Sequence, residues 1–285
     1  MDSKTPTPPQ ACVAELLCEA ATLAGPEARL LLAHVAGQPK SWVVAHPEAR
    51  LPGAMVRAFR ELCARRLAGE PVAYLIGRRE FFGLSLASTP AALIPRPDTE
   101  LLVELALARI DAHGLTRVLD LGTGTGAIAL AIAHARAQVD LTAAELDPEA
   151  LALARQNARE LGLDKLRLVA SDWYQTLPQE RWELIVANPP YIAAGDPHLL
   201  QGDLRFEPRA ALTPGGDGLD ALRAIIAGAP AYLTPDGTLL VEHGWDQGVA
   251  VRTLFGAAGF TDISTRRDLG GQERVTAGQL ARDGQ

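Results

Sequence analysis

Apolar residues recur three and four positions apart in "ACVAELLCEA", "EARLLLAHVAG" and "AMVRAFRELCARRLAGE", all within the first 70 residues. That spacing lines one face of a helix and predicts a small helical bundle. Gly25-Pro26, Gly37 and Leu51-Pro52-Gly53 punctuate it. From residue 72 the texture changes: "VAYLIGRREFFGLSLAST" is rich in β-formers and broken by Gly77 and Gly83. It predicts a β-hairpin linker. In "IPRPDTE", Asp98 or Thr99 is placed to cap a helix through "LLVELALARI".

Beyond residue 115 the period alternates. The short β-runs "RVLDL", "VDLTAAE", "LRLVA", "WELIVA" and "GTLLVEH" are separated by "AIALAIAHARA", "PEALALARQNAREL" and "LDALRAIIAGAPAYL". This βαβ pattern predicts an α/β fold, a mostly parallel sheet with helices on both faces. "TDISTRR" and "ERVTAGQL" are joined too closely for a crossover and predict an antiparallel edge. The expected organisation is a disordered tail at 1–10, a helical domain at 11–71, the hairpin linker at 72–97 and the α/β domain at 98–285.

Charge refines the picture. Residues 1–80 hold ten basic and eight acidic side chains, and the remaining 205 hold 17 basic and 26 acidic. An acidic body argues against nucleic acid as the substrate, since duplex binding is driven by phosphate neutralisation. Arg57, Arg60, Arg65 and Arg66 predict a basic face on the last helix of the bundle, read first as a solvated surface and second as a docking face. Three cysteines without a CxxC pair, Cys12, Cys18 and Cys63, argue against disulfides and zinc. No run approaches eighteen apolar residues, and "MDSKTPTPPQ" lacks the apolar core of a signal peptide. The expectation is a cytoplasmic protein with no membrane span and no metal.

The candidate chemistry begins at "VLDLGTGTGAIAL", a strand, a glycine turn and a helix. Gly122, Gly124 and Gly126 allow a sharp turn and close approach of a ligand to the main chain. Their G-x-G-x-G spacing differs from the G-x-G-x-x-G of dinucleotide sites. Asp120 just before the loop disfavours a pyrophosphate and suits a cationic ligand. Glu145 ends the next strand, where an acid is placed to grip two ribose hydroxyls. Asp147 is its rival. Asp172 lies at the strand edge that an adenine amino group would reach, and Trp173 is placed to pack on the base. Together these features point to S-adenosylmethionine and a Rossmann-like methyltransferase sheet.

"ANPPYI" follows the fourth predicted strand, beside the glycine loop. Methylating a planar NH2 group requires holding its nitrogen in line with the methyl and favouring charge there. Two acceptors aimed at its two N–H bonds do both. Asn188 Oδ1 and the Pro189 carbonyl are the candidates. Neither Pro189 nor Pro190 brings a competing N–H, and both stiffen the loop. Tyr191 is placed to lie against the flat face of the target. Adenine-N6 methylation of DNA or RNA would use the same corner and is the alternative reading.

Longer motifs narrow the choice. "YLIGRREFFGL", "IPRPDTE", "VLDLGTGTGAIAL", "SDW", "VANPPYI", "DLRFEPRAAL", "GGDGL" and "LLVEHGWDQG" resemble, in order and spacing, the peptide-chain-release-factor glutamine N5-methyltransferases (the PrmC or HemK family). The resemblance implies methyl transfer from S-adenosylmethionine to the side-chain amide of the glutamine in the Gly-Gly-Gln motif of class 1 release factors. S-adenosylhomocysteine is the implied product. By motif, Gly122, Thr123, Gly124, Thr125, Gly126, Glu145, Trp173 and Asn188 would contact or border the cofactor. Asn188, Pro189, Pro190 and Tyr191 would bind the glutamine amide. The family often has Asp where this chain has Glu145. The turn-rich "DLRFEPRAALTPGGDG" is expected to border the substrate mouth, with Arg205 and Glu207 paired. Among the six histidines, only His243 is expected near the site.

Overall fold

A computed structural model describes residues 10–281. All but the last residue of the tail expected at 1–10 lies outside the described residues. The chain divides into two compact units at Gly77.

In the first unit a minimal antiparallel pair joins β1 (Ala11–Cys12) to β2 (Arg50–Leu51). The helices are α1 (Val13–Glu19), α2 (Gly25–Ala36), α3 (Lys40–Ala45), α4 (Gly53–Leu67) and α5 (Val72–Ile76). Leu16, Leu31, Leu32, Val56 and Phe59 form its fully buried centre. The β-rich run at 72 is therefore partly helical. Pro71 precedes α5, Gly77 ends it with φ +71°, and Leu75 enters the helical core. Burial and caps override β propensity here. On α4, Arg60 pairs with Glu19, Arg65 with Glu70 and Arg66 with Glu27. Three of the four arginines of the expected basic face are thus neutralised within this unit, and Arg57 is exposed.

The second unit starts with the true hairpin, β3 (Arg78–Phe81) and β4 (Leu84–Ala87). After a 3₁₀ turn at Pro97–Thr99 come α6 (Glu100–His113), β5 (Arg117–Leu121), α7 (Ala127–Ala135) and β6 (Asp140–Glu145). Then follow α8 (Pro148–Glu160), β7 (Arg167–Ala170) and β8 (Trp182–Ala187). Three further 3₁₀ turns lead to α9 (Asp220–Tyr232), β9 (Leu233–Glu242), α10 (Gly248–Ala257), β10 (Phe260–Arg267) and β11 (Glu273–Leu280). The seven-stranded sheet runs β10-β11-β9-β8-β5-β6-β7. The five strands from β9 to β7 are parallel, and β11 is antiparallel to both β9 and β10. The antiparallel strand thus lies one position inside the edge, which β10 occupies.

Both faces of the sheet are covered, as a parallel sheet requires. Val118, Leu184, Val186 and Leu240 pack beneath α6, α7 and the hairpin residues Phe81, Leu84 and Leu86. Their neighbours Leu119, Ile185, Leu239 and Val241 pack beneath α9 and α10. The hairpin belongs to this core rather than serving only as a linker. The chain leaves β5 toward β6 and β7 and later returns to β5's other side with β8, creating a switch point between β5 and β8. Ligands of open α/β sheets bind beyond the strand ends at such a point.

Candidate active site

The glycine loop follows β5. Gly122, Gly124 and Gly126 all have positive φ, at 71°, 57° and 85°. Gly122 N–H and Thr123 N–H donate to Ala144 O at 2.9 and 3.0 Å, which ties the loop to β6. A Cβ on Gly122 would meet the Trp173 ring at 3.1 Å. Only a bare main chain leaves room between loop and indole. Trp173 itself sits at φ +46°, a left-handed conformation that a bulky residue adopts only when its surroundings impose it. The Ser171 hydroxyl donates to its carbonyl at 2.9 Å.

Glu145 ends β6 with its carboxylate turned back on the loop. Oε2 accepts from Gly124 N–H at 2.8 Å, and Oε1 accepts from Leu146 and Asp147 N–H at 2.8 and 3.0 Å. Asp147 is differently employed. It caps α8, accepting from Glu149 and Ala150 N–H at 2.8 and 3.0 Å.

A cleft of about 380 Å³ opens at this end of the sheet, within the range of small-molecule sites. It brings together Gly122, Thr123, Gly124, Thr125, Glu145, Asp147, Trp173, Asn188, Pro189 and Pro190. Four expected site residues are missing from its wall: Asp120, Gly126, Asp172 and Tyr191. Asp120 is fully buried beneath the loop, where Oδ2 accepts from the Thr123 hydroxyl at 2.6 Å. Burial pushes its carboxyl up to about 7, and Oδ1 has no partner. Its side chain faces the interior because β5 is covered on both sides. Gly126 starts α7, its missing side chain leaving space for Leu130. Asp172 lies beside the cleft and accepts from Gln175 Nε2 at 2.7 Å.

The Asn188–Tyr191 corner follows β8, whose last residue Ala187 pairs with Leu121 of β5. Asn188 Nδ2 donates to Thr99 Oγ1 at 3.0 Å. That hydroxyl, expected to cap α6, makes no cap bond there. Tyr191 O accepts from Gln247 Nε2 at 2.9 Å, and its hydroxyl donates to Glu242 Oε1 at 3.3 Å. Ile192 N–H donates to Leu212 O at 3.0 Å. The corner is therefore held by groups far along the chain. Tyr191 lines a separate cavity of about 60 Å³ behind it, which Asn188, Pro189 and Pro190 share with Glu242.

Such an arrangement, with a carboxylate-bearing strand end, a bare loop under an indole and a donor-free corner, suits a nucleoside-bearing ligand and a flat amide-like group. Two regions of the chain match known sequence families: the PrmC N-terminal domain at residues 12–77 and the Methyltransferase small domain at 97–219. The release factor glutamine methyltransferase of Bordetella pertussis is 54% identical over 89% of this chain and 94% of its own. That of Burkholderia pseudomallei is 51% identical over 98% of this chain and 99% of its own. The chain belongs to the release factor glutamine methyltransferase family.

Solved structures share the fold of this methyltransferase. The T. thermophilus 16S rRNA N2 G1207 methyltransferase, in complex with AdoMet and guanosine, aligns with TM-score 0.55 at 21% identity, over 71% of this chain and 49% of its own. The hMettl16 catalytic domain aligns with TM-score 0.59 at 18% identity, over 74% and 82%.

The sequence reading missed several parts of this methyltransferase's site. Glu207 pairs with Arg96 and also accepts from Ile94 N–H at 2.9 Å. Its side chain is fully buried, and burial raises its carboxyl pKa. This pair ties "IPRPDTE" to "DLRFEPRAAL", and both segments line the cleft through Arg96, Pro208 and Ala211. Arg205 lies over the Phe206 ring at 5.0 Å. Asn157 joins the glycine loop to β4, donating to Thr125 O at 2.9 Å and accepting from Ala87 N–H at 2.7 Å. His243 is fully buried, with Nδ1 donating to Gly244 O and Nε2 facing the Thr276 hydroxyl, each at 2.8 Å. Burial lowers its pKa, so it is a neutral structural group. Among the described residues no group of three His, Cys, Asp or Glu is placed to hold a metal, and no helix is long and apolar enough to cross a membrane.

Proposed function

We propose that the protein transfers a methyl group from S-adenosylmethionine to the side-chain amide nitrogen of the glutamine in the Gly-Gly-Gln motif of class 1 release factors, acting in the cytoplasm. The observation that carries this reading is the orientation of Asn188. Its NH2 is tied back to Thr99, which leaves Oδ1 as the group available to a ligand in the cleft. An amide NH2 to be methylated needs acceptors, not donors.

The residues present fit the cofactor. A bare main chain at Gly122 runs beside the Trp173 ring, and the Glu145 carboxylate keeps spare lone pairs at the end of β6. Glu145 would take the ribose hydroxyls and Trp173 the base, with Gly122, Thr123, Gly124 and Thr125 along the loop. Asp120, Gly126 and Asp172 would act from behind, shaping the loop and the Trp173 turn. When bound, S-adenosylmethionine would supply a sulfonium methyl for the amide nitrogen and would leave as S-adenosylhomocysteine. Asn188 Oδ1 and the Pro189 carbonyl accept the two N–H bonds of the glutamine amide, fix its plane and favour positive charge growing on nitrogen. Pro190 stiffens the turn. Tyr191, with its hydroxyl held by Glu242, keeps the ring side of the corner in place.

The test is transfer of labelled methyl to intact release factor, to its loop Gln-to-Ala variant and to DNA. Label on the first alone supports the reading; label on DNA alone overturns it. The ribose assignment has its own check. Glu145→Ala should weaken S-adenosylmethionine binding by roughly 10- to 100-fold, the worth of hydrogen bonds to a charged group. Asp147→Ala should instead cost about 1 kcal/mol of stability as a lost helix cap and leave cofactor affinity unchanged. Calorimetry and thermal melts separate the two.

A further inference from the structure

The wall of the cleft has acids at its ribose end and a single positive group elsewhere. Among the described residues that line it, Arg96 is the one basic side chain, against the carboxylates of Glu145 and Asp147. S-adenosylmethionine is more than a nucleoside and a sulfonium. Its amino-acid end carries a carboxylate, which is costly to take out of water unless donors or a cation meet it.

Local chain chemistry sets where Arg96 stands. It lies between Pro95 and Pro97, and a residue before proline is pushed toward extended backbone. Its φ of −98° and ψ of 143° are of that kind. Upstream, the Ala92 methyl lies 3.9 Å from where a Cβ on Gly124 would be. Downstream, Thr99 Oγ1 accepts from Asn188 Nδ2 at 3.0 Å. The run from Ala92 to Thr99 therefore crosses from the glycine loop to the corner, with Arg96 between them. Arg96 also lines the small cavity shared with Asn188, so it stands where cleft and cavity meet. A cofactor with its ribose on Glu145 and its sulfonium toward Asn188 has its amino-acid end to place along this stretch.

The guanidinium there is held in place yet left open. Glu207, whose side chain is fully buried, accepts from Arg96 Nη2 with one oxygen and from Ile94 N–H with the other, the latter at 2.9 Å. Arg96 Nε and Nη1 have no partner among the described residues, and the side chain keeps 30% of its exposure. A pair that served only to tie two segments would engage both carboxylate oxygens with the planar fork of the arginine. Here one oxygen is occupied by Ile94, and most of the fork remains available to a second carboxylate.

We propose that Arg96 binds the carboxylate at the methionine end of S-adenosylmethionine, and that Glu207 is the positioning residue that holds the guanidinium for it. This rests on S-adenosylmethionine as the methyl donor and not on which amide receives the methyl. The carboxylate is unchanged by methyl transfer and persists in S-adenosylhomocysteine. A contact to it is therefore the same before, during and after the reaction. Such uniform binding tightens the cofactor without raising kcat.

The experiment uses calorimetry on the full chain as wild type, Arg96→Gln and Arg96→Lys. The ligands are S-adenosylmethionine, S-adenosylhomocysteine and decarboxylated S-adenosylmethionine, which keeps the adenosine, the sulfonium and the amine. Wild type should bind S-adenosylmethionine roughly 10- to 100-fold more tightly than the decarboxylated analogue, the worth of hydrogen bonds to a charged group. Arg96→Gln should lose that factor for S-adenosylmethionine and S-adenosylhomocysteine alike, and bind the analogue at least as well as wild type does. With saturating cofactor its kcat on release factor should stay within a few-fold of wild type. Arg96→Lys keeps a charge but no fork, and its affinity for S-adenosylmethionine should fall between the two. An equal loss for S-adenosylmethionine and its analogue in Arg96→Gln would show that Arg96 only shapes the wall, and overturns the proposal. An undiminished preference for the carboxylate in that variant also overturns it, because main-chain N–H groups of the glycine loop would then hold the carboxylate. Arg96→Gln leaves Glu207 buried without its cation, which is destabilising. If that variant fails to fold, the other two chains decide: equal affinity of wild type for the two sulfonium ligands, or wild-type affinity for S-adenosylmethionine in Arg96→Lys, overturns the proposal. The donor reading fails differently, by a wild-type chain that binds none of the three ligands.

Discussion

Asn188→Ala is expected to cut methyl transfer by on the order of 10²–10³-fold, the usual cost of removing one preorganised electrostatic contact to a transition state. The loss should fall on kcat. In the proposed amide clamp Asn188 Oδ1 is one of two acceptors for the target N–H bonds, and positive charge reaches that nitrogen only as the new bond forms. An acceptor aimed there is therefore worth more in the transition state than in the bound substrate. Cofactor affinity should largely survive, because Glu145, Trp173 and the glycine loop stand on other strands and do not lean on the Asn188 side chain. Single-turnover transfer of labelled methyl and calorimetry with S-adenosylmethionine check both halves. Loss of both in equal measure would mean that Asn188 belongs to the cofactor site and not to the amide clamp.

Gly218→Ala should be nearly as damaging although Gly218 touches no ligand. A Cβ at this position would stand 2.4 Å from Tyr191 O, 3.0 Å from Ala193 N and 3.1 Å from Gln247 Nε2. Two of those atoms are main chain and cannot swing aside. The φ of +84° adds a conformational penalty. The corner must therefore move, and a misplacement of about 1 Å costs about 100-fold in rate. Gly215→Ala is the control. Gly215 also has positive φ, at 96°, but nothing lies within 4 Å of its Cβ position. It should lose some stability and keep its rate. Equal rates for the two variants would show that contact between the "GGDGL" turn and Tyr191 does not set the corner.

Several side chains in and around the site have contacts set by partners far along the chain. Thr99 looked like a helix cap and instead accepts from Asn188, 89 residues away. Glu207 pairs with Arg96 across 111 residues. Glu242 stands in the motif "LLVEHGWDQG", but the motif does not show that it is buried under a corner arriving from another strand. The helix at Val72–Ile76 has β-forming residues whose local preference yields to the burial of Leu75 and to its Pro71 and Gly77 boundaries.

The sequence by itself determined whatever depends on near neighbours. The period of its apolar residues specified helices and strands, positive-φ glycines specified the loop after β5, and two consecutive prolines specified a rigid, donor-free corner after β8. Tertiary structure alone decided which acid faces the cleft, which way the Asn188 amide points and where β11 enters the sheet. Those choices turn on burial and on hydrogen bonds between distant strands, and neither exists until the strands are side by side.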